Sequence, residues 1–303
     1  MKHLFIINPA AGKGEAFRLH SRIRQLGEKL SLDVEIYETK GPGNGEEKAR
    51  QAAESEERIR IYSCGGDGTL NEIVNGAYGY VNVDIASIPV GTGNDFVRNF
   101  SGDFEDIEKQ MRGAAVDCDL IRYIGNQGIR YCVNMFNIGF DSNVVDMTAR
   151  LKRKPFIKGS FAYLLGVLII LVKKRGAHLK IRLEDGTCLT DPILLIAIAN
   201  GRYCGGGVKG VPLSAVDDGL MDVSIVSNVS RRNFVRLFPK YAKGTHLEDE
   251  KGKKIVHYEK CRKLTVAPHR GTMRMAVDGE LIDADETEFE IVPKGFRFVI
   301  PAK

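Results

Sequence analysis

Short apolar runs alternate with longer amphipathic stretches through the first third of the chain. Residues 4–7 read as a strand, 15–30 as a helix and 34–37 as a strand; 46–55 read as a polar helix, 59–64 as a strand, 70–78 as a helix and 85–89 as a strand. Strands and helices in alternation predict a parallel sheet covered on both faces. Ligands of such sheets bind at the carboxyl ends of the strands.

From about Asp119 the period changes to two. Leu179, Ile181 and Leu183 are apolar while Lys180, Arg182 and Glu184 are polar, the pattern of a half-buried antiparallel strand. The alternation returns at Met221, Val223 and Ile225, at Leu264 and Val266, at Met273, Met275 and Val277, and at Phe289 and Ile291, with Glu184-Asp185-Gly186 and Asp278-Gly279 as turn signals. The expectation is an α/β N-terminal domain on a parallel sheet, residues 1–118, and a C-terminal antiparallel β-sandwich domain, residues 119–292. Residues 293–303 are a candidate to return to the first. Residues 161–172 are the strong helix candidate of the second.

Composition adds limits. With 303 residues, 43% hydrophobic and 27% charged, the chain is long enough for two cores. Six cysteines without a C-x-x-C pair and six dispersed histidines speak against zinc, so any metal is expected on oxygen ligands. The first apolar run is too short for a signal peptide, and 161–172 falls short of the roughly 20 residues that span a bilayer. The chain therefore reads as cytoplasmic with reduced thiols. Lys152, Arg153, Lys154 and Lys158 precede the apolar run and Lys173, Lys174 and Arg175 follow it. Two readings stay open there: a buried helix with solvated ends, or a segment resting on an anionic membrane surface. The net charge of +5 does not choose between them, and no nucleic-acid partner is expected.

Three glycine-rich loops follow predicted strands of the first domain and so gather at one sheet edge. Asn8-Pro9-Ala10-Ala11-Gly12-Lys13-Gly14 completes neither a Walker A loop nor G-x-G-x-x-G. It is a tight turn or a phosphate cradle, with Lys13 as its positive charge. In Gly65-Gly66-Asp67-Gly68-Thr69, Thr69 and Glu72 have capping-box spacing, which predicts a helix start whose free N–H groups hold an anion. Asp67, a carboxylate among phosphate donors, fits Mg²⁺ binding, directly or through water. In Pro89-Val90-Gly91-Thr92-Gly93-Asn94-Asp95-Phe96, Thr92 and Gly93 suit phosphate, whereas Asn94 and Asp95 orient loops or cap a helix. Asp95 positions an acceptor hydroxyl or braces Lys13.

In combination, order and spacing these stretches resemble the diacylglycerol kinase catalytic-domain family, and nearly the whole chain is similar to its soluble bacterial members. NAD kinases and 6-phosphofructokinases share the Gly-Gly-Asp loop more distantly. The resemblance implies an ATP-dependent lipid kinase, with ATP and Mg²⁺ at Asn8, Pro9, Ala10, Ala11, Gly12, Thr39, Gly65, Gly66, Asp67, Gly68, Thr69, Asn71, Glu72, Gly91, Thr92 and Gly93, and with Lys13, Asp67, Asp95 and Glu280 catalytic. Glu280, after Asp278-Gly279, would be the general base for the lipid hydroxyl; the bland reading is an exposed turn. The resemblance also matches the 200–207 stretch to the family's glycine-rich segment and makes Asp218, with the carbonyls of Ala215 and Leu220, a structural magnesium loop. Diacylglycerol is the leading acceptor. Phosphatidylglycerol, a sphingoid base or ceramide, or a non-catalytic nucleotide- or lipid-binding regulator, are the alternatives. The implied enzyme works peripherally at the inner membrane surface, and a homodimer is the general expectation for such enzymes.

Overall fold

β1 (Lys2–Ile7) pairs in parallel with β2 (Val34–Glu38) and with β3 (Ile59–Gly65), and β3 pairs in parallel with β4 (Val83–Pro89). These contacts come from a computed structural model that describes residues 1–14, 16–55, 57–125, 128–139 and 177–303, apart from the side chains at 13–17 and 125. The chain divides into two units, Met1–Leu120 with Pro293–Lys303, and Ile121–Val292.

In the first unit every residue of β3 is buried and β4 is buried up to Ser87 and Ile88, as expected of parallel strands covered on both faces. Helix α1 (Ala16–Leu30) lays Leu19, Ile23, Leu26 and Leu30 against Phe5, Ile7, Tyr62 and Cys64; their helical spacing is why this stretch folds as it does. Helices α2 (Asn44–Ala53) and α3 (Asp67–Ala77) approach closely at Gly76, where a Cβ would lie 2.1 Å from the Glu46 carbonyl oxygen. Helix α4 (Ile107–Arg112) adds Ile107 and Met111 to the same core. The end of the last strand returns to this sheet, Phe298 pairing in parallel with Ile85.

The second unit is antiparallel. One layer has the order β12 (Val256–Cys261), β11 (Met221–Ser227), β10 (Ile193–Ala199), β7 (Met135–Gly139), β14 (Met273–Val277) and β15 (Glu280–Ala284). The other contains β8 (Leu179–Leu183), β9 (Cys188–Leu189), β13 (Lys263–Pro268) and the first half of β16 (Thr287–Ile300), with the second part of β5 (Ala114–Gly125) paired to β6 (Gly128–Cys132). Phe136, Ile196, Val223 and Met275 of one layer meet Ile181, Val266 and Phe289 of the other in a common core. The architecture is the α/β plus β-sandwich combination expected from the periodicity.

Helix α5 (Arg231–Lys243), which the period reading did not predict, covers the outer face of β10 and β11 through Phe234, Phe238 and Tyr241; α6 (Glu250–Lys253) follows it. The predicted helix at 161–172 and its basic flanks from Lys152 to Arg175 lie outside the described residues. Among the described residues no helix is long and apolar enough to cross a membrane.

Candidate active site

The register of the parallel sheet brings three loops to one edge. Ile7 pairs with Cys64, and Gly65 with Pro89, so β1, β3 and β4 end side by side. The loops then bind one another. The Asn8 N–H donates to the Cys64 carbonyl at 3.0 Å and the Gly91 N–H to the Gly65 carbonyl at 3.1 Å. Asn8 Nδ2 donates to Thr69 Oγ1 at 3.1 Å, while Asn8 Oδ1 accepts the Ala10 N–H. Asp67 Oδ1 accepts the N–H groups of both Asp95 (2.8 Å) and Phe96 (3.2 Å), tying the second loop to the third. Phe96 anchors that third loop edge-on against Phe298, ring centroids 5.0 Å apart.

Glycine is required here for space. At Gly91 a Cβ would come within 2.4 Å of Gly66 Cα, and at Gly93 within 2.7 Å of Asp67 Oδ2 and 3.5 Å of Asp95 Oδ2. Two carboxylates thus converge on a position that carries no side chain. Asn94, at φ +52°, holds the turn by donating from Nδ2 to the carbonyls of Pro89 and Gly91, a conformation asparagine tolerates better than most residues.

The capping box does not form. Helix α3 starts at Asp67 rather than near Thr69, with Gly66 as N-cap and no side chain capping its first turn. The Thr69 hydroxyl serves Asn8 instead. Glu72 reaches across to the start of α2, its two oxygens accepting the N–H groups of Gly43 (2.8 Å) and Gly45 (3.0 Å), a carboxylate at a helix N-terminus. Helix α3 therefore presents its first amides at the loop junction, where orphan N–H groups and the helix dipole favour an anion. Thr39 begins a neighbouring loop, its N–H on the Ile7 carbonyl; Lys13 lies among the residues whose side chains are not described.

In the second unit, Asp278 and Gly279 both have positive φ, 47° and 90°, and join β14 to β15 as a type I′ turn with Val277 opposite Glu280. Glu280 is exposed at the start of β15. Asp278 is the residue that sequence reasoning passed over. Its Oδ2 accepts the Val133 N–H at 2.8 Å, and its Oδ1 accepts the N–H groups of Asn134 (2.9 Å) and Met135 (3.0 Å) and the Cys132 thiol (3.1 Å). The Asp-Gly pair flagged the turn but carried no sign of these partners.

The same stretch before β7 receives the glycine-rich segment. Asn200 and Gly201 donate backbone N–H groups to the Asn134 carbonyl, and Asn134 Nδ2 donates to the Tyr203 carbonyl at 2.8 Å. Arg202 Nε donates to the Ser214 carbonyl at 2.7 Å and Ser214 Oγ to the Asn200 carbonyl at 2.8 Å. The Asp278 turn and the 200–207 segment are thus braced by one short piece of backbone, and that segment in turn holds Ser214.

Asp218 sits beside Leu220, whose N–H it accepts at 3.1 Å. Its other oxygen binds Lys260 Nζ at 2.6 Å, and the same ammonium lies 3.3 Å from the fully buried Asp222. The Tyr258 hydroxyl donates to Asp222 at 2.6 Å. Burial pushes the Asp222 carboxyl above its usual range against the pull of Tyr258 and Lys260. For Lys260 burial works against the charge, and the two carboxylates more than offset it. Ala215 lies half-buried in this loop.

The diacylglycerol kinase catalytic-domain model matches residues 2–123, and the YegS C-terminal NAD kinase beta sandwich-like domain model matches residues 134–300. The chain belongs to the diacylglycerol kinase family of lipid kinases. A diacylglycerol kinase of Staphylococcus epidermidis is 30% identical over 283 residues, covering 91% of this chain and 84% of its own length. One of Bacillus subtilis is 29% identical over 303 residues, covering 98% and 95%. A crystal structure of a diacylglycerol kinase from Bacillus anthracis matches with a TM-score of 0.71 at 21% identity, covering 99% of this chain and 96% of that one; this last likeness is one of fold. As a lipid kinase, the chain moves a phosphoryl group.

Proposed function

We propose that this lipid kinase transfers the γ-phosphoryl group of ATP to the hydroxyl of diacylglycerol, giving phosphatidic acid and ADP. The observation that carries the reading is the clamp from Asp67 Oδ1 to the amides of Asp95 and Phe96. It locks two glycine-rich loops together at a helix N-terminus, where backbone N–H groups suit phosphate oxygens. Asn8, Pro9, Ala10, Ala11, Gly12, Thr39, Gly65, Gly66, Gly68, Thr69, Asn71, Gly91, Thr92 and Gly93 form the surrounding nucleotide site, with Lys13 supplying positive charge and Glu72 fixing the loop beyond Thr39.

Asp67 and Asp95 are the carboxylates that would hold Mg²⁺ with the phosphates, since both approach the bare Gly93 position. Bound there, the ion would neutralise charge on the transferring group. Glu280 accepts the proton of the lipid hydroxyl as the new P–O bond forms and the bond to the β-phosphate oxygen breaks. Its exposed place at the start of a rigid hairpin suits that role. A structural Mg²⁺ at Asp218, with the carbonyls of Ala215 and Leu220, requires the Lys260 ammonium to leave Asp218 and remain on Asp222; the charges then balance better than with one lysine shared by two carboxylates. No step of the transfer passes through that ion.

The relatives named diacylglycerol kinase favour diacylglycerol among lipid acceptors. The enzyme would act from the cytoplasm as a peripheral protein, since the acceptor's chains resist transfer to water at about 0.8 kcal/mol per CH₂. A panel of diacylglycerol, phosphatidylglycerol, sphingosine and ceramide in mixed micelles, with labelled ATP and Mg²⁺, tests the acceptor. Label in diacylglycerol above the rest supports the reading; label in another lipid renames the acceptor.

A further inference from the structure

Helix α5 divides its residues sharply. Phe234, Leu237, Phe238 and Tyr241 recur at helical spacing and face the sheet, while Arg232, Val235, Arg236, Pro239 and Lys243 follow one another on the outer side and are all exposed. Val235 is 58% exposed, among the most exposed large apolar side chains described. Residues 231–254 contain eight basic and three acidic residues, an excess equal to the +5 of the whole chain. Two of the three acids are already engaged, Asp249 with Lys240 and Glu250 with Lys253. Arg232, Arg236 and Lys243 have no ion-pair partner among the described residues.

Beneath the helix a small apolar cavity of about 40 Å³ remains against the outer face of β10 and β11, lined by Leu194, Leu195, Val226, Val229, Phe234 and Phe238. His246 at its edge is buried and held neutral, its pKa lowered to about 4 by burial, so it adds no charge beneath the helix. With its apolar face taken up by the sheet, the helix offers a strongly basic outer face with one exposed apolar side chain in its middle, the composition of a surface that meets anionic lipid. Cationic side chains meet anionic headgroups there, and their aliphatic stems rest on the apolar layer.

We propose that α5 is an interfacial docking helix for an anionic bilayer, Arg232, Arg236 and Lys243 contacting lipid headgroups and Val235 resting among them. This rests on the lipid kinase reading and deepens it: the surface shares no residue with the loop junction or with Glu280, and holds the protein at the membrane that carries its acceptor. The occupant is committed by charge. A zwitterionic surface or a second copy of this chain, itself +5, would leave the basic face uncompensated.

The chain contains no tryptophan, so one introduced indole reports its own surroundings. Val235→Trp places the reporter on the exposed face, where folding is not at risk, and Phe238→Trp places it on the face packed against the sheet. Each full-length variant is mixed, without ATP, with vesicles of phosphatidylcholine alone or with added phosphatidylglycerol, and with matching lipids brominated in the acyl chains. Anionic vesicles are expected to shift the Val235→Trp indole to the blue and brominated chains to quench it, leaving the Phe238→Trp indole unquenched, with phosphatidylcholine alone doing neither. Changing Arg232, Arg236 and Lys243 together to Gln should weaken vesicle binding about a hundredfold at low salt. An unquenched Val235→Trp indole in bound protein overturns the proposal. Equal quenching by neutral vesicles removes the headgroup contact, and a concentration-dependent blue shift without lipid assigns the surface to self-association. Phosphate transfer to dioctanoylglycerol in micelles, measured on the same variants, separates the two readings. If transfer persists while quenching is absent, this inference alone fails.

Discussion

Asp67 Oδ1 and the backbone N–H of Asp95 are 2.8 Å apart, and that bond fastens the second glycine-rich loop to the third. The same oxygen accepts the Phe96 N–H, while Oδ2 lies toward Gly93. Asparagine preserves an acceptor at the first position and removes the charge at the second. Asp67→Asn is therefore expected to keep the melting temperature within a few degrees and lower kcat by about 10²-fold or more. Asp67→Ala should lose activity and also about 1–3 kcal/mol of stability, because the two amides lose their partner. Steady-state kinetics beside urea denaturation separates the two effects, and equal destabilisation by both variants would argue against the division of roles.

Asp278 and Glu280 are two residues apart and should fail in opposite ways. Asp278 accepts three backbone N–H groups and a thiol and sits at φ +47° in a two-residue turn. Asp278→Ala is expected to cost about 3 kcal/mol or more. Glu280 is exposed, and Glu280→Gln should change stability by less than about 0.5 kcal/mol. Chemical denaturation of the two variants in parallel checks the contrast.

The period-two stretches and the alternating first third were enough to read the two fold classes, because apolar side chains that face a core on one side repeat at the spacing of their element. β10 was not readable in that way. Ile196 and Ile198 face the sandwich core while Leu195, Ala197 and Ala199 pack on the opposite face, so both faces are buried and no alternation remains. Helix α5 hid behind Pro239 and a run of arginines. At the site, the loops were legible because glycine clusters after strands have few other uses. The partners were not: Thr69 and Glu72 have capping-box spacing, yet one bonds Asn8 and the other the first amides of α2. Asp278 and Lys260 act through residues more than 35 positions away, a distance over which sequence spacing carries no information.

Lys260 occupies the Asp218 carboxylate that the proposed magnesium would need. Its ammonium lies 2.6 Å from Asp218 and 3.3 Å from Asp222, so it competes with any cation at Asp218. Lys260→Met is expected to lower stability by roughly 2 kcal/mol without added metal, through the buried Asp222 it leaves uncompensated. Mg²⁺ should then raise the melting temperature of the variant more than that of the wild type. Melting curves in EDTA and in excess Mg²⁺ measure both; an identical response of the two proteins would place the ion elsewhere.

Two histidines set an acid limit on stability. His3, bonded through Nδ1 to the Tyr62 hydroxyl at 2.7 Å, has its pKa lowered to about 4 by burial and then by Arg60; His246 is lowered to about 4 by burial. A base with a depressed folded pKa stays neutral in the native state while the unfolded chain takes up a proton near pH 6.5. Stability is therefore complete above about pH 6.5 and declines as the pH falls toward 4, by roughly 1 kcal/mol per pH unit for each histidine after allowance for solvent screening. Urea midpoints at pH 7, 6 and 5 test this, and His246→Phe should flatten the slope by about half.

The measurement that bears most directly on the central claim is transfer of labelled γ-phosphate from ATP to dioctanoylglycerol in mixed micelles with Mg²⁺, for wild type, Glu280→Gln and Asp67→Asn. The account predicts labelled phosphatidic acid from the wild type, and from each folded variant a rate lower by about 10²-fold or more. Full transfer by Glu280→Gln, or no labelled lipid from the wild type, would contradict it.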